Sequence, residues 1–239
     1  MAQDKANTAQ SSLVLAPTVG ASYGNGWRQM WKHFLKLFLI GIIALIISIP
    51  AGIGGNDEVT ILGVLGFIYL ILIVNLIDYG VLFAFLKAVR SDKPEIKDMF
   101  EAFRNYWNAV LANILVGAIV IIGLVLLIIP GIIFACKLAF TPYLVVDRKM
   151  GVIEAVKESW SMTNGHAWNV FLIGLLAVPI SIAGLICLVV GIIPAIMWIT
   201  AASASLYHAV SITRQTSSLL TKPLEDVHKE EPRTPPRPA

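Results

Sequence analysis

Two ionisable residues, Asp78 and Lys137, stand inside long apolar stretches of the sequence, where a charge needs a partner or a cavity. Asp78 lies twelve residues before Arg90 and Lys137 lies eleven before Arg148, so at 1.5 Å per helical residue both sit roughly 17 Å inside the same boundary. Opposite charges at a matched depth predict an ion pair. Such a pair fixes how two helical hairpins pack, or it binds a substrate, an ion or a proton. Alternatively, the two residues snorkel or line separate cavities.

The other polar residues of the apolar stretches are weaker candidates. Asn75, one turn before Asp78, and Asn113 are predicted to form hydrogen bonds across helices, which needs no substrate. Residues 200–205 place small side chains four apart, the pattern that permits close contact between helices. This stripe predicts either an internal seam or an oligomer face.

Enzymatic motifs are absent from the sequence. It contains no HExxH, no GxSxG and no phosphate-binding loop, and no paired carboxylates lie close together within an apolar stretch. Cys136 and Cys187 fall in apolar runs and are predicted to pack as small hydrophobic side chains. The histidines stand singly along the chain, at His33, His166, His208 and His228. We therefore predict no catalytic residue, no metal site and no cofactor.

The composition identifies the class of protein that must position these residues. Of the 239 residues, 57% are hydrophobic and 14% are charged, and the mean hydropathy is +0.77. A soluble domain carries about 25% charged residues, and runs of about 18–20 apolar residues cross a bilayer. We predict an all-α, polytopic integral membrane protein with six transmembrane helices. The predicted spans are 34–54, 60–86, 108–129, 132–146, 169–190 and 195–212, with turns at 55–58, 130–131 and 191–194.

The two ends of the chain differ from its apolar middle. Residues 1–22 are polar and without a period, and residues 214–239 become rich in charge and proline, so both are predicted to be disordered tails. The six-helix transmembrane domain is predicted over residues 23–213. The first apolar run follows some thirty polar or mixed residues, unlike a cleavable signal peptide, so the first span is expected to remain in the mature protein.

The positions of the basic residues predict the orientation in the membrane. Of the 18 lysines and arginines, all except Lys137 lie in the terminal segments or in two longer loops, whereas the opposite turns hold only Asp57 and Glu58. By the positive-inside rule, both termini and residues 87–106 and 147–166 are predicted to face the cytoplasm. The predicted location of the protein is the plasma (inner) membrane. The net charge of +3 does not suggest nucleic acid. The expected partners are membrane lipids and an unidentified membrane protein.

Three short segments share a pattern of an apolar residue, a basic residue, two free positions and tryptophan, at residues 27–31, 103–107 and 156–160. In the first two copies the apolar positions follow the spacing of one helix face. We predict three units, each an amphipathic helix followed by a transmembrane hairpin. These helices anchor the spans at the membrane interface, or they bind lipid or a partner. The anchoring side chains are Trp27, Trp31, Trp107 and Trp160.

A longer motif occupies residues 95–212. It comprises Pro130-Gly131, a basic residue in the next span at Lys137, Pro142 and Asp147 near the end of that span, and a helix from Glu154-Ala155 to Trp160. In these positions the chain resembles a poorly characterised prokaryotic family of six-helix membrane proteins, related to the membrane domain found beside some glycerophosphoryl diester phosphodiesterases. The resemblance implies six helices in the plasma membrane and no agreed activity. The phosphodiesterase activity belongs to a separate soluble barrel of about 200 residues, for which this chain has no room.

The small polar content of the predicted spans favours a non-enzymatic membrane protein that serves as a scaffold or an accessory subunit. The alternative is a transporter or channel-like protein for a small or lipidic solute, centred on Asp78 and Lys137. A membrane enzyme of lipid metabolism ranks third, because the sequence offers no nucleophile, metal site or acid/base cluster.

Overall fold

The computed structural model describes residues 16–52, 61–186 and 188–220, and each regular element in these ranges is helical. The α-helices are α1 (Val19–Lys32), α2 (Phe34–Ser48), α3 (Ile61–Tyr69), α4 (Asn75–Val89), α5 (Tyr106–Leu126), α6 (Ile128–Leu138), α7 (Thr141–Asp147), α8 (Val152–Thr163), α9 (Ala167–Ile186) and α10 (Leu188–Leu220). A π-helical turn covers Leu70–Val74, and 3-10 helices cover Ile49–Gly52 and Ile96–Asn105. The all-α prediction is confirmed for the described residues.

Five helical stretches of the described residues are long and apolar enough to cross a membrane, and the number rises to six when α1 and α2 are counted as one bent span. They are Gly63–Val89, Ile96–Leu126, Ile128–Asp147, Ala167–Ile186 and Gly191–Ser217. The bend between α1 and α2 measures 91° and falls at His33. The predicted class of polytopic membrane protein therefore agrees with the fold, and the predicted number of six spans requires the bent pair.

The turn between the third and fourth predicted spans lies at a different residue from the expected one. The sequence predicts it at Pro130-Gly131, whereas α5 ends at Leu126 and the extended Leu127 (φ −165°, ψ 141°) forms the turn. Pro130 is the third residue of α6, where its missing N–H costs no helical hydrogen bond. A Cβ atom on Gly123 would lie 3.0 Å from the Cα of Gly131, so the glycine allows α5 and α6 to approach closely.

The turn before the last helix is displaced in the same way. Residues 191–194 are predicted to turn, but α10 begins at Leu188 and Pro194 lies inside it. A Cβ atom on Gly184 of α9 would lie 2.9 Å from the carbonyl oxygen of Gly191, which means that this glycine is used for helix packing. Proline and glycine in this sequence therefore mark close contacts between helices as well as turns.

The first and the last helix both extend into the segments that the sequence predicts to be disordered tails. α1 starts at Val19 rather than at residue 23, because the Asn169 amide of α9 donates a hydrogen bond of 2.5 Å to the Pro17 carbonyl and holds the start of the helix on α9. α10 continues to Leu220 rather than ending at 213, because Arg214 donates hydrogen bonds to two side chains of α8. The predicted turn at 55–58, Cys187, and residues 1–15 and 221–239 lie outside the described residues.

The protein core surrounds α4, which contacts α1, α2, α5, α7, α10 and the 96–105 helix. Its Leu76, Phe85 and Leu86 side chains are buried. Gly80 lets the 96–105 helix lie directly on α4, because a Cβ atom at this position would be 1.8 Å from the Met99 carbonyl oxygen. This contact requires glycine and fixes the 96–105 helix against the middle of α4.

α1 packs along α10, so the N-terminal and C-terminal helices are in contact. The Asn25 amide donates a hydrogen bond of 2.7 Å to the Ser205 hydroxyl, and the Trp198 indole donates one of 3.1 Å to the Tyr23 carbonyl. A Cβ atom on Gly26 would lie 2.9 Å from the backbone nitrogen of Ala202. The small-residue stripe at 200–205 therefore packs against α1 within the same chain, which is the internal seam of the two predicted alternatives.

The three copies of the tryptophan pattern fall in α1, at the end of the 96–105 helix and in α8. The first and third are α-helices, whereas the second is a 3-10 helix that begins with a capping box between Glu95 and Asp98. α1 and the 96–105 helix both lie against neighbouring helices, so their buried faces contact protein. The threefold repeat and the anchoring at a membrane interface stay predictions.

Candidate functional site

The structure separates the two intramembrane charges that the sequence predicts to pair. The Lys137 ammonium donates a hydrogen bond to the Asn164 side chain and lies 5.5 Å from the ring centroid of Trp160. The Lys137 carbonyl accepts a hydrogen bond of 2.9 Å from the Ser159 hydroxyl. Among the described residues no ion pair joins Lys137 to Asp78, so the predicted pair is wrong. Helix α8 packs beside the end of α6, so α8 and the residue after it supply the contacts of the Lys137 side chain.

Asp78 is an exposed residue on α4, in a groove of about 280 Å³ between α2, α4 and α10. Two hydroxyl groups also line this groove, those of Ser48 and Thr200. Each donates to a carbonyl of its own helix, Ser48 to Ala44 at 2.8 Å and Thr200 to Ile196 at 2.9 Å. In the part of the chain that the structure describes, Asp78 has no hydrogen-bond or ion-pair partner.

The two predicted asparagines do not join helices to each other. The Asn75 side-chain amide donates a hydrogen bond of 3.0 Å to the Leu70 carbonyl, which also accepts one from the Asn75 backbone N–H at the end of the π-helical turn. Asn113 is half-buried on α5, next to the buried Ala112, and forms no hydrogen bond with any described residue. The cross-helix hydrogen bonds predicted for these two residues are therefore wrong, and Asn75 bonds instead within its own helical segment.

A nearly buried ion pair, which the sequence does not predict, joins three helices. The Arg90 guanidinium, directly after α4, contacts the Asp147 carboxylate at the end of α7 through two hydrogen bonds of 2.5 Å and 2.8 Å. The Tyr207 hydroxyl of α10 donates to the same carboxylate at 3.1 Å, and the Arg90 Nε donates to His208 Nδ1 at 3.4 Å. The side chains are 27% exposed for Arg90 and 11% for Asp147.

The environment of this ion pair keeps Arg90 charged. Burial lowers the pKa of its guanidinium, but the hydrogen bonds and the negative charge of Asp147 outweigh burial, and the pKa lies above its ordinary value. Tyr207 stacks on Tyr143 with ring centroids 4.9 Å apart and contacts the edge of Phe140 at 5.5 Å. The pair therefore rests on a packed aromatic layer that holds both partners in one geometry.

Other ion pairs lie at the same end of the bundle, which we call the charged end. Lys87 donates two hydrogen bonds of 2.9 Å and 3.0 Å to Asp98, which is 5% exposed and joins α4 to the 96–105 helix. Arg214 contacts Glu158 at 3.0 Å and joins α10 to α8. These contacts connect neighbouring helices, so the charged groups of this end serve its packing.

The four predicted tryptophan anchors are all partly exposed. Trp107 is the most exposed at 71%, and Trp27, Trp31 and Trp160 range from 40% to 52%. Trp27 packs on Trp198 with centroids 4.8 Å apart, and Trp31 stacks on a phenylalanine of α2 at 5.1 Å. The part of each indole ring that is exposed is available to lipid, and the role of these side chains as interfacial anchors stays a prediction.

Two further cavities have mostly apolar walls. One of about 250 Å³ lies between α4, α7, α9 and α10 and includes Tyr143 and Ser203, and another of about 330 Å³ lies beside Cys136 between α6 and α9. Across the described ranges, no three histidine, cysteine, aspartate or glutamate residues are grouped to hold a metal ion. The apolar walls suit contact with apolar molecules. Among the described residues, the Tyr143 hydroxyl beside the first cavity and Asp78 in the groove between α2, α4 and α10 have no hydrogen-bond partner.

Sequence reasoning missed Arg90, Asp147 and Tyr207 as a group. Arg90 follows the predicted second span and Asp147 belongs to the motif at 95–212, but 57 residues separate them, and no local spacing indicates that they meet. The available signal was Asp147 itself, since an acidic residue next to an apolar run needs a cation or donors nearby.

No solved structure matches this chain. Residues 116–214 match a protein family described as "Protein of unknown function (DUF975)". The matched region covers the C-terminal half of α5 and extends into α10, so it includes Lys137, Asp147 and Tyr207 and leaves out Asp78 and Arg90. Over this region the chain is similar to an uncharacterised family.

Proposed function

We propose that this chain is a non-enzymatic integral membrane protein of the plasma (inner) membrane that acts as a scaffold or an accessory subunit. The observation that carries the proposal is that charged side chains form ion pairs between helices. Arg90 with Asp147, and Lys87 with Asp98, connect helices through nearly buried ion pairs. A group that does chemistry or carries a solute must bind and release it, whereas a paired group between helices holds a fixed arrangement.

The outer surface supports contact with lipid and with other membrane proteins. At the tip of the hairpin between α5 and α6, Val125 is 82% exposed and Ile129 is 72% exposed, and the residues between them are also exposed and apolar. Such a surface is stable when hydrocarbon or a partner covers it. Membrane lipids are therefore the first proposed partners, and a membrane protein is the second.

The alternative function is transport of a small or lipidic solute, and Asp78 is the observation that favours it. The carboxylate is exposed in a groove next to two hydroxyl groups, and intramembrane carboxylates occur in ion and proton pathways. Lys137 no longer belongs to this hypothesis, because its contacts with Asn164 and Trp160 direct it elsewhere. Transport would therefore depend on Asp78 alone.

The orientation proposed from the basic residues sets the charged end of the bundle and both termini in the cytoplasm. Single-cysteine labelling tests this in a background without Cys136 and Cys187. A membrane-impermeant reagent added from outside should label a cysteine that replaces Asp57, and should fail at Asp92 and Lys149. Labelling in the reverse pattern would refute the orientation.

The functional proposal is tested by purification and by reconstitution. Tagged protein extracted from native membranes in a mild detergent should carry a partner protein in near-stoichiometric amount, and proteoliposomes should show no solute flux above protein-free vesicles. Flux that Asp78→Asn abolishes, without a co-purified partner, would refute the scaffold and favour transport. We also propose kinship with the membrane domain beside glycerophosphoryl diester phosphodiesterases, without phosphodiesterase chemistry.

A further inference from the structure

We infer that the groove between α2, α4 and α10 docks a transmembrane helix of a partner protein, and that this helix brings a lysine or arginine side chain to Asp78. The inference rests on the proposed scaffold function and deepens it, because it names the surface and the chemistry of the partner. It depends on three observations: the shape of the groove, the unpartnered carboxylate and the depth at which that carboxylate lies.

The shape of the groove fits a helix. From Gly41 to Ser48 on α2, from Asp78 to Phe85 on α4, and along a similar length of α10, each wall spans about 10 Å, which is two helical turns. The α2 wall consists of the small residues Gly41, Ala44 and Ser48 together with Ile42 and Leu45. A Cβ atom on Gly41 would meet nothing within 4 Å. A surface of this kind allows the backbone of a second helix to approach closely.

The charge in the groove calls for a donor from outside the described chain. The Ser48 and Thr200 hydroxyls already donate to carbonyls of their own helices. Two basic side chains of the bundle are also engaged, Lys87 with Asp98 and Lys137 with Asn164. A carboxylate exposed to hydrocarbon is costly, so an occupant with a cation or strong donors gains affinity at this position.

The depth of Asp78 favours a helix over a lipid headgroup. Asp78 lies twelve residues before Arg90 at the charged end, which corresponds to about 18 Å along a helix. The hydrocarbon core is about 30 Å thick, so this position is near its middle. The ammonium group of a lipid stays near the membrane surface, whereas a transmembrane helix can carry a lysine at any depth.

The test uses synthetic transmembrane peptides of about 23 leucine and alanine residues, with lysine, glutamine or leucine at the central position. The full-length protein is reconstituted with a donor fluorophore into phosphatidylcholine vesicles, and peptide association is measured by energy transfer. We expect the central-lysine peptide to bind about tenfold tighter than the central-leucine peptide, as a close charge pair implies. Asp78→Asn should reduce lysine-peptide binding to the level of the leucine peptide.

Two matched controls separate the groove from general effects. Asp92→Asn removes the same charge from an exposed position outside the groove and should leave peptide binding unchanged. Gly41→Leu fills the groove and should abolish the lysine preference, whereas Gly117→Leu adds the same side chain to another open helix position and should not. Equal binding of the three peptides, or a lysine preference that survives in Asp78→Asn, would overturn the inference.

Other occupants give distinct results when protein extracted from native membranes is measured in parallel. Retention of phosphatidylethanolamine in native mass spectrometry that depends on Asp78, with no peptide preference, would replace the helix by a lipid. Self-association that Asp78→Asn abolishes in the absence of peptide would replace it by a second copy of this chain. Either result would overturn the inference as stated.

A photo-crosslinking residue at Gly41 or at Gly117 distinguishes failure of the groove from failure of the scaffold. A stoichiometric native partner that cross-links from Gly117 and not from Gly41 leaves the scaffold function intact and refutes the groove. Solute flux without a native partner and without peptide binding refutes both.

Discussion

Breaking the ion pair between Arg90 and Asp147 should strongly destabilise the protein. The Asp147→Asn variant keeps the shape of the side chain but removes its negative charge. In the parent protein, the Arg90 guanidinium donates two hydrogen bonds of 2.5 Å and 2.8 Å to this carboxylate. Breaking a buried pair costs about 3–5 kcal/mol, and the 27% exposure of Arg90 lets water replace part of the interaction. We expect a loss of about 3 kcal/mol in the free energy of unfolding, or more than 100-fold in the folded-to-unfolded ratio.

The measurement is equilibrium unfolding in mixed micelles with a denaturing detergent, followed by tryptophan fluorescence and circular dichroism. The double variant Arg90→Met with Asp147→Leu should recover most of the loss, because it leaves no unpaired charge. As a control, Lys149→Gln breaks an exposed ion pair with Glu101 at 3.2 Å and should cost less than about 1 kcal/mol. The reasoning is refuted when Asp147→Asn is as stable as the parent, or when the double variant is as unstable as the single one.

Three further predictions use the same unfolding assay or the folded yield in membranes. Gly80→Ala should cost at least about 1–3 kcal/mol because its Cβ atom would overlap a backbone carbonyl, whereas Gly117→Ala, in open space, should be neutral or stabilising; equal effects would contradict the close contact. Asp78→Asn and Lys137→Met should have additive effects on the free energy of unfolding within about 0.5 kcal/mol, and a coupling above about 1 kcal/mol would show that the two side chains interact after all. Trp107→Ala should lower the folded yield in membranes with little loss of stability in detergent, because the ring is 71% exposed; an unchanged yield would contradict anchoring.

The helical class of the fold could be predicted from the sequence because it depends on local composition. Runs of apolar residues long enough to cross a bilayer admit few alternatives, since each backbone polar group must find a partner within its own segment. The ends of the helices were less predictable. A proline interrupts the interior of a helix but is compatible with its first turn, where Pro130 lies. Whether Pro130 ends one helix or begins the next depends on where the neighbouring helix packs.

The candidate site was predicted less well, because depth along a helix does not determine direction around it. Asp78 and Lys137 were given the same depth by counting from flanking arginines, and the count assumed straight, uninterrupted spans. In the structure α6 ends at Leu138 and α8 packs beside it, which gives Lys137 the Asn164 partner. The pairing of Arg90 with Asp147 likewise depends on tertiary packing between segments far apart in the sequence.

The packing of α1 on α10 has a consequence for biosynthesis. Asn25 binds Ser205, 180 residues later in the chain, and Tyr23 binds the carbonyl of Ile173, 150 residues later. At about 5–20 residues per second, a ribosome needs on the order of 10–40 s to produce that length. During this interval the face of α1 that carries Asn25 and Gly26 lacks α10, the helix on which it packs. In a nascent chain interrupted before α10, this face of α1 therefore stays uncovered, which distinguishes an unfinished copy from a finished one.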